Sequence, residues 1–282
     1  MNHSDFSQFP HRRFNLLTGE WVLVSPHRSE RPWHGQTEPT DSERIALYDP
    51  GCYLCPGNTR SAGIKNPDYS KTFVFDNDFS ALLPGFADVK APQKDRVLLA
   101  EPEKGICRVI CYSPRHDLTI ARMDIAEVTA IIDTWIEEYR LLATNPLVNH
   151  VQIFENRGQI MGCSNRHPHG QIWANQTVPT IPQNETEQQK RFAAEHDACL
   201  LCSYLERELE DQQRLLFTND SFVVIVPFWA IWPFETIIIP RMHAASISDL
   251  TPKQKSDLAD IMIRLGICYD NLFTTSFPFS MG

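Results

Sequence analysis

No stretch of this chain stays apolar long enough to cross a bilayer. Its first residues, MNHSDFSQFPHRRF, lack the apolar core of a secretory signal. An excess of positive charge is missing as well: the formal net charge is −9, which argues against broad nucleic-acid binding. Nor is there a compact disulfide framework. The eight cysteines are scattered over 282 residues, and without a secretory signal they read as reduced thiols of a cytoplasmic protein. What remains is a globular chain, 42 % hydrophobic, able to bury a sizeable core as one large or two small domains. Against the acidic balance, His11, Arg12, Arg13, His27, Arg28, Arg31 and His34 gather positive potential near the N-terminus. That suits a small anionic ligand, with solvated surface arginines as the plainer reading.

Residues 154–171, FENRGQIMGCSNRHPHGQ, carry the most chemistry. In an extended chain, a period of two sets His167 and His169 on one face. Pro168 between them has no N–H to donate, so the segment suits a sheet edge or a strand lining a site. Gly158, Gly162 and Gly170 let the backbone approach a ligand closely, as phosphate oxygens require. Same-face histidines beside glycines and an amide suit phosphate chemistry with one imidazole as nucleophile or base. A surface histidine pair and a simple metal pair are the bland alternatives.

The cysteines are not equivalent. Cys107 and Cys111 lie in the strand-like run ICRVICY and read as core. Cys52 and Cys55 form Cys-x-x-Cys between two Pro-Gly turns, the pattern of a metal knuckle. No second knuckle stands at zinc-finger distance, so any further ligands come from afar and local sequence does not name them. Cys199 and Cys202 repeat the spacing. Leu201, Tyr204, Leu205 and Leu209 recur around them at helical intervals, however, which favours core packing over metal and leaves a second site open.

The chain also repeats itself. VFDNDFSALLP (74–84) resembles LFTNDSFVVIVP (216–227), and each is followed by Pro-Arg and a histidine: SPRH at 113–116, IPRMH at 239–243. Each copy then enters a capped helix. Asp124 with Glu127 opens the first; Thr251 with Gln254, and Pro252 at the first helical position, opens the second. Two related α+β units follow: 1–178, then a polar linker 179–198, then 199–282. The second copy reaches SFPFSMG without a histidine strand of its own, so the expectation is an incomplete second unit with an open sheet edge.

Taken together, LTGEWVLVSPHRSERPW (17–33), the 52–55 knuckle, FDNDFSAL (75–82), the block 154–173, VPFWAIWPFETIIIPR (226–241) and YDNLFTTSFPFSMG (269–282) resemble the galactose-1-phosphate uridylyltransferase family of the histidine-triad superfamily. The resemblance spans essentially the whole chain. It implies two histidine-triad-like units, each an antiparallel sheet with helices, arising from an internal duplication. It implies that His169 is a nucleophile that takes a uridylyl group from UDP-glucose and passes it to galactose 1-phosphate. Gln171 would contact the phosphate, and Gly162, Cys163 and Ser164 would hold the phosphates. Asn77, Asp78 and Asn156 would face uridine and ribose, with Arg28 and Arg31 near the nucleotide phosphates. Cys52, Cys55, His116 and His167 would form a structural zinc site. Read locally, His116 would rather be a polar cap before the helix at 124. Glu185 would give one ligand to a second metal, iron or zinc. The resemblance further implies a cytoplasmic homodimer acting on UDP-glucose, UDP-galactose and hexose 1-phosphates, with no nucleic-acid or membrane partner.

Two features depart from the family pattern. Arg166 stands where the family usually has proline, and the family continues past Ser-Met-Gly into residues that complete the second metal site and contact the hexose phosphate across the dimer. Two other functions therefore stay open: a nucleotide hydrolase or phosphorylase of the same superfamily, and a zinc-stabilised nucleotide-binding fragment with little or no turnover.

Overall fold

A computed structural model of the chain describes residues 8–30, 45–85 and 97–282. Arg31 and His34 lie outside the described residues. The elements run β1 (His11–Asn15), β2 (Glu20–Val24), β3 (Phe73–Asp76), β4 (Gly105–Cys111), α1 (Ile125–Ala143), β5 (His150–Arg157) and β6 (His169–Asn175). They continue with α2 (Thr180–His196), α3 (Leu200–Asp211), β7 (Leu215–Thr218), β8 (Phe222–Ile225), β9 (Ile237–Pro240), α4 (Pro252–Phe273) and β10 (Phe279–Met281). Among the described residues every pairing between these strands is antiparallel, so the expected α+β class is what is seen.

The chain folds into two compact units that interleave in sequence. One comprises Met1–Pro39 and Thr180–Ala245, the other Thr40–Pro179 and Ser246–Gly282. Each thus draws on both halves of the chain, unlike the linear division at 178 and 199. The stretch 179–198, expected as a linker, is mostly helix α2.

The larger unit is built on a five-stranded sheet in the order β10-β5-β6-β4-β3. Helix α1 starts where the sequence says. Asp124 accepts from the Glu127 backbone N–H at 2.8 Å and Glu127 accepts from the Asp124 backbone N–H at 2.9 Å, satisfying two N–H groups the helix itself cannot. Val128, Ile131, Ile132, Trp135 and Ile136 recur at helical spacing and are buried. Helix α4 opens with the matching Thr251–Gln254 box and Pro252, buries Ala259, Ile261 and Met262, and packs on α1. SFPFSMG does not lie in a second sheet: β10 pairs with β5, Ser280 opposite Asn156 and Met281 opposite Glu155.

β6 is the central strand, not an edge, and Pro168 is tolerated because the strand begins only at His169. Along β6, Gly170, Ile172 and Ala174 are buried while His169, Gln171 and Trp173 are half-buried, the alternation of a strand with two unlike faces. Gly170 is obligatory for packing: a side-chain carbon there would overlap the Tyr112 phenol oxygen.

In the smaller unit, β1 and β2 form a hairpin and β7-β8-β9 a three-stranded sheet. Its core is Tyr204, Leu205, Val223, Ile225, Trp229 and Ile239, with Val22, Phe228 and Ile237 packed against it. Arg13 lies over the Phe228 ring at 4.7 Å and donates to the Phe228 carbonyl at 3.0 Å, so this member of the basic N-terminal cluster is committed to packing. Burial, with the neighbouring Arg214, lowers its pKa.

Candidate active site and metal centre

The knuckle is held by backbone turns. Cys52 N–H donates to the Asp49 carbonyl at 3.1 Å and Cys55 N–H to the Cys52 carbonyl at 3.2 Å, and the Asn58 amide ties the Asp49 and Cys52 carbonyls together at 3.0 and 2.8 Å. His116, beyond the end of β4, and His167, in the bend before β6, complete the cluster. All four residues are buried, and their donor atoms lie within 4.8 Å of one another. Cys55 Sγ is 3.7 Å from His116 Nδ1 and 3.5 Å from His167 Nδ1.

The surroundings of His167 set its tautomer. Its Nε2 is 2.8 Å from the Ser113 carbonyl, which can only accept, so Nε2 carries the proton and Nδ1 presents a lone pair to the sulfurs. Tyr69 reinforces this, with its hydroxyl 3.0 Å from the same Nε2 while donating to the Leu54 carbonyl at 2.6 Å. Asn165 accepts from the His167 backbone N–H at 2.9 Å and its amide reaches Cys52 Sγ at 3.4 Å. Burial pushes His167 down to about 4 and Cys55 up to about 11, keeping both groups uncharged without a cation. Two sulfurs and two imidazole nitrogens converging in a buried tetrad, one of the rings with its lone pair turned inward, fit a tetrahedral zinc ion with a supporting outer shell.

His169 behaves differently from His167, because only His169 belongs to the strand. Its Nδ1 is 2.7 Å from the His167 carbonyl, so Nδ1 is the protonated nitrogen and Nε2 keeps its lone pair. Burial lowers its pKa, with the bond to the His167 carbonyl opposing, so the ring is neutral near pH 7. Gln171 shares its face of β6 and sits opposite Val109 and Phe154.

The remaining expected residues are spread around this centre. Asn156 lies on β5, its side-chain oxygen accepting from Ser280 Oγ at 2.6 Å. Asn77 accepts from the Phe79 backbone N–H at 2.9 Å and Asp78 pairs with buried Arg60 at 3.5 Å. Arg60 also covers the Phe75 ring at 3.9 Å, so the loop after β3 is anchored from below. Gly162 adopts φ +80° in the turn after β5, Cys163 Sγ reaches the Asn165 carbonyl at 3.1 Å, and Ser164 is exposed. In the smaller unit, Arg28 is exposed in a 3-10 turn at Pro26–Glu30, and Glu185 is half-buried in α2, where burial raises its pKa. Among the described residues, Glu185 joins no cluster of potential metal ligands. Sequence reasoning missed Tyr69, Asn165 and the Ser113 carbonyl; none carries a local signal, since each matters only through what the fold brings beside it.

Two solved structures share this architecture. One described as a structure of uridylyltransferase matches with a TM-score of 0.73 at 24 % identity, over 95 % of this chain and 78 % of that one. An ADP-glucose phosphorylase from Arabidopsis thaliana with bound ADP-glucose matches with a TM-score of 0.74 at 22 % identity, over 96 % and 80 %. The fold is therefore of the uridylyltransferase type. At the sequence level, the model of the galactose-1-phosphate uridyl transferase N-terminal domain matches residues 1–179 and that of the C-terminal domain residues 185–282. The galactose-1-phosphate uridylyltransferase of Haemophilus influenzae is 46 % identical over 98 % of this chain and 78 % of its own length. That of Saccharomyces cerevisiae is 45 % identical over 99 % and 79 %. The chain belongs to the galactose-1-phosphate uridylyltransferase family.

Proposed function

We propose that this chain is a nucleotidyltransferase that moves a uridylyl group from UDP-glucose to galactose 1-phosphate in two displacements on His169. In the first, Nε2 attacks the α-phosphorus; the N–P bond forms, the bond from phosphorus to the bridging oxygen breaks, and glucose 1-phosphate leaves. In the second, a phosphate oxygen of galactose 1-phosphate attacks the same phosphorus, the N–P bond breaks, and UDP-galactose departs. The observation that carries this reading is the His169 Nδ1 contact with the His167 carbonyl at 2.7 Å, which leaves Nε2 free on a neutral ring. Gln171, on the same strand face, is suited to hydrogen-bond the phosphoryl oxygens without competing as a base. Asn77, Asp78, Asn156, Gly162, Cys163, Ser164, Arg28 and Arg31 are the proposed nucleotide contacts.

Cys52, Cys55, His116 and His167 would hold zinc in a structural role. The bound ion would fix the bend before β6, and the His167 carbonyl in that bend orients the nucleophile. Glu185 would serve one corner of a second iron or zinc site. A cytoplasmic homodimer is what the family resemblance implies; eight free thiols suit the compartment. No helix among the described residues is long and apolar enough to cross a membrane.

The test is the intact mass of the full chain after incubation with UDP-glucose. The expected result is a gain of one uridylyl group, removed on adding galactose 1-phosphate and absent in His169→Ala. Labelling of the His169→Ala variant would overturn the assignment. Loss of the label to water or inorganic phosphate, but not to galactose 1-phosphate, would favour the hydrolase or phosphorylase reading.

A further inference from the structure

The smaller unit contains a second convergence of soft ligands. Cys199, Cys202 and His243 place their donor atoms within 4.8 Å of one another, with Cys202 Sγ 3.4 Å from His243 Nδ1 across 41 residues of sequence. The sequence reading, core packing for both cysteines, is corrected here: neither is buried, and His243 is exposed. The helix is as expected over Leu200–Asp211; of the four residues read at helical spacing it buries Tyr204 and Leu205 and half-buries Leu201 and Leu209, while Cys199 is its N-cap residue and Cys202 lies in its first turn.

We infer that Cys199, Cys202 and His243 form a metal site for a thiophilic divalent ion of the zinc class. Rigid elements supply the donors. Cys199 is the N-cap residue of α3 and Cys202 lies in its first turn, and that helix is locked to β9 through Tyr204, Leu205 and Ile239 in one core cluster. His243 follows β9 in a segment pinned by Arg241, whose backbone N–H donates to the Ser221 carbonyl at 2.8 Å and whose Nε donates to the Asn219 carbonyl at 2.9 Å. The arrangement repeats that of the larger unit: a Cys-x-x-Cys, then a histidine just past a strand and following Pro-Arg. A redox dithiol would explain two cysteines but not an imidazole nitrogen held against one of them. Two sulfurs with one imidazole select zinc or iron(II) over magnesium or calcium. Among the described residues three protein donors meet here, so the fourth tetrahedral corner would be taken by another ligand. The bound ion would tie the start of α3 to the end of β9.

The test compares the reduced full chain with Cys199→Ser/Cys202→Ser and with His243→Ala. Zinc per chain, measured by elemental mass spectrometry, should fall by one equivalent in the double variant. His243→Ala, at an exposed position, should release zinc to a competing chelator at least about 10-fold more readily than the parent. Equal zinc in parent and double variant would overturn the proposal. If the double variant does not fold, cobalt(II) substitution of the parent decides. Thiolate-to-cobalt absorption should correspond to four Co–S bonds per chain, two per site, and an intensity of two Co–S bonds would overturn it.

Discussion

Glu155 offers a test of the larger unit that is independent of catalysis. It lies on β5, faces away from Asn156, and is 4 % exposed, with Oε2 lacking a hydrogen-bond partner. Burial pushes its pKa from 4.5 up to about 7, with the nearby Arg157 guanidinium opposing. The folded protein therefore holds this proton more tightly than the unfolded chain does. Below the unfolded pKa both states are protonated and the group costs nothing. As pH rises from 4.5 through 7, folding must take up a proton and stability falls; above that window the loss is complete. At about 1.4 kcal/mol per pKa unit, the full loss is about 3 kcal/mol. Glu155→Gln keeps the shape and removes the titration. In urea denaturation the variant should be more stable than the parent by about 3 kcal/mol near pH 8, with the gap narrowing to about 1 kcal/mol near pH 5.5. A gap that does not change with pH, or a variant less stable than the parent near pH 8, would refute the reasoning.

Other outcomes follow from single contacts. Tyr69→Phe removes the hydroxyl beside His167 Nε2 and should weaken metal retention at the Cys52 cluster by about 10-fold in a chelator competition; unchanged retention would mean that the Ser113 carbonyl alone sets the tautomer. Gly170→Ala drives a methyl into the Tyr112 phenol and should cost about 1–3 kcal/mol of unfolding free energy; a neutral result would show that Tyr112 can move aside. Asp124→Ala deletes half of the α1 capping box and should cost about 1 kcal/mol by the same measurement. If zinc holds the Cys52 cluster in the proposed structural role, stripping it should slow uridylylation of His169 in stopped-time mass measurements while leaving the end point unchanged; an end point lost with the metal would count against that role.

Much of this protein follows from local rules that act over a few residues. The capping boxes at Asp124 and Thr251 were legible because a helix must satisfy its first N–H groups from nearby side chains. The turn that carries Cys52 and Cys55 was legible because the two cysteines and its Pro-Gly pairs are contiguous, and the alternation along β6 follows from the period of a strand. The family resemblance extended that reading to His116 and His167, which lie 61 and 112 residues from Cys55. Nothing nearby in the sequence marks either as a ligand.

Tertiary structure alone decided the rest. It distinguished the two histidines, since only there does His167 bond the Ser113 carbonyl while His169 bonds that of His167. It brought in Tyr69 and Asn165, ordinary residues until a fold sets them beside a ligand. It sent β10 to the edge of the first sheet and interleaved the two compact units. It also brought Cys199 and Cys202 beside His243, although their helical spacing favoured core packing. Periodicity and capping are written in neighbouring residues, whereas a ligand set or a tautomer depends on donors and acceptors meeting from distant parts of the chain.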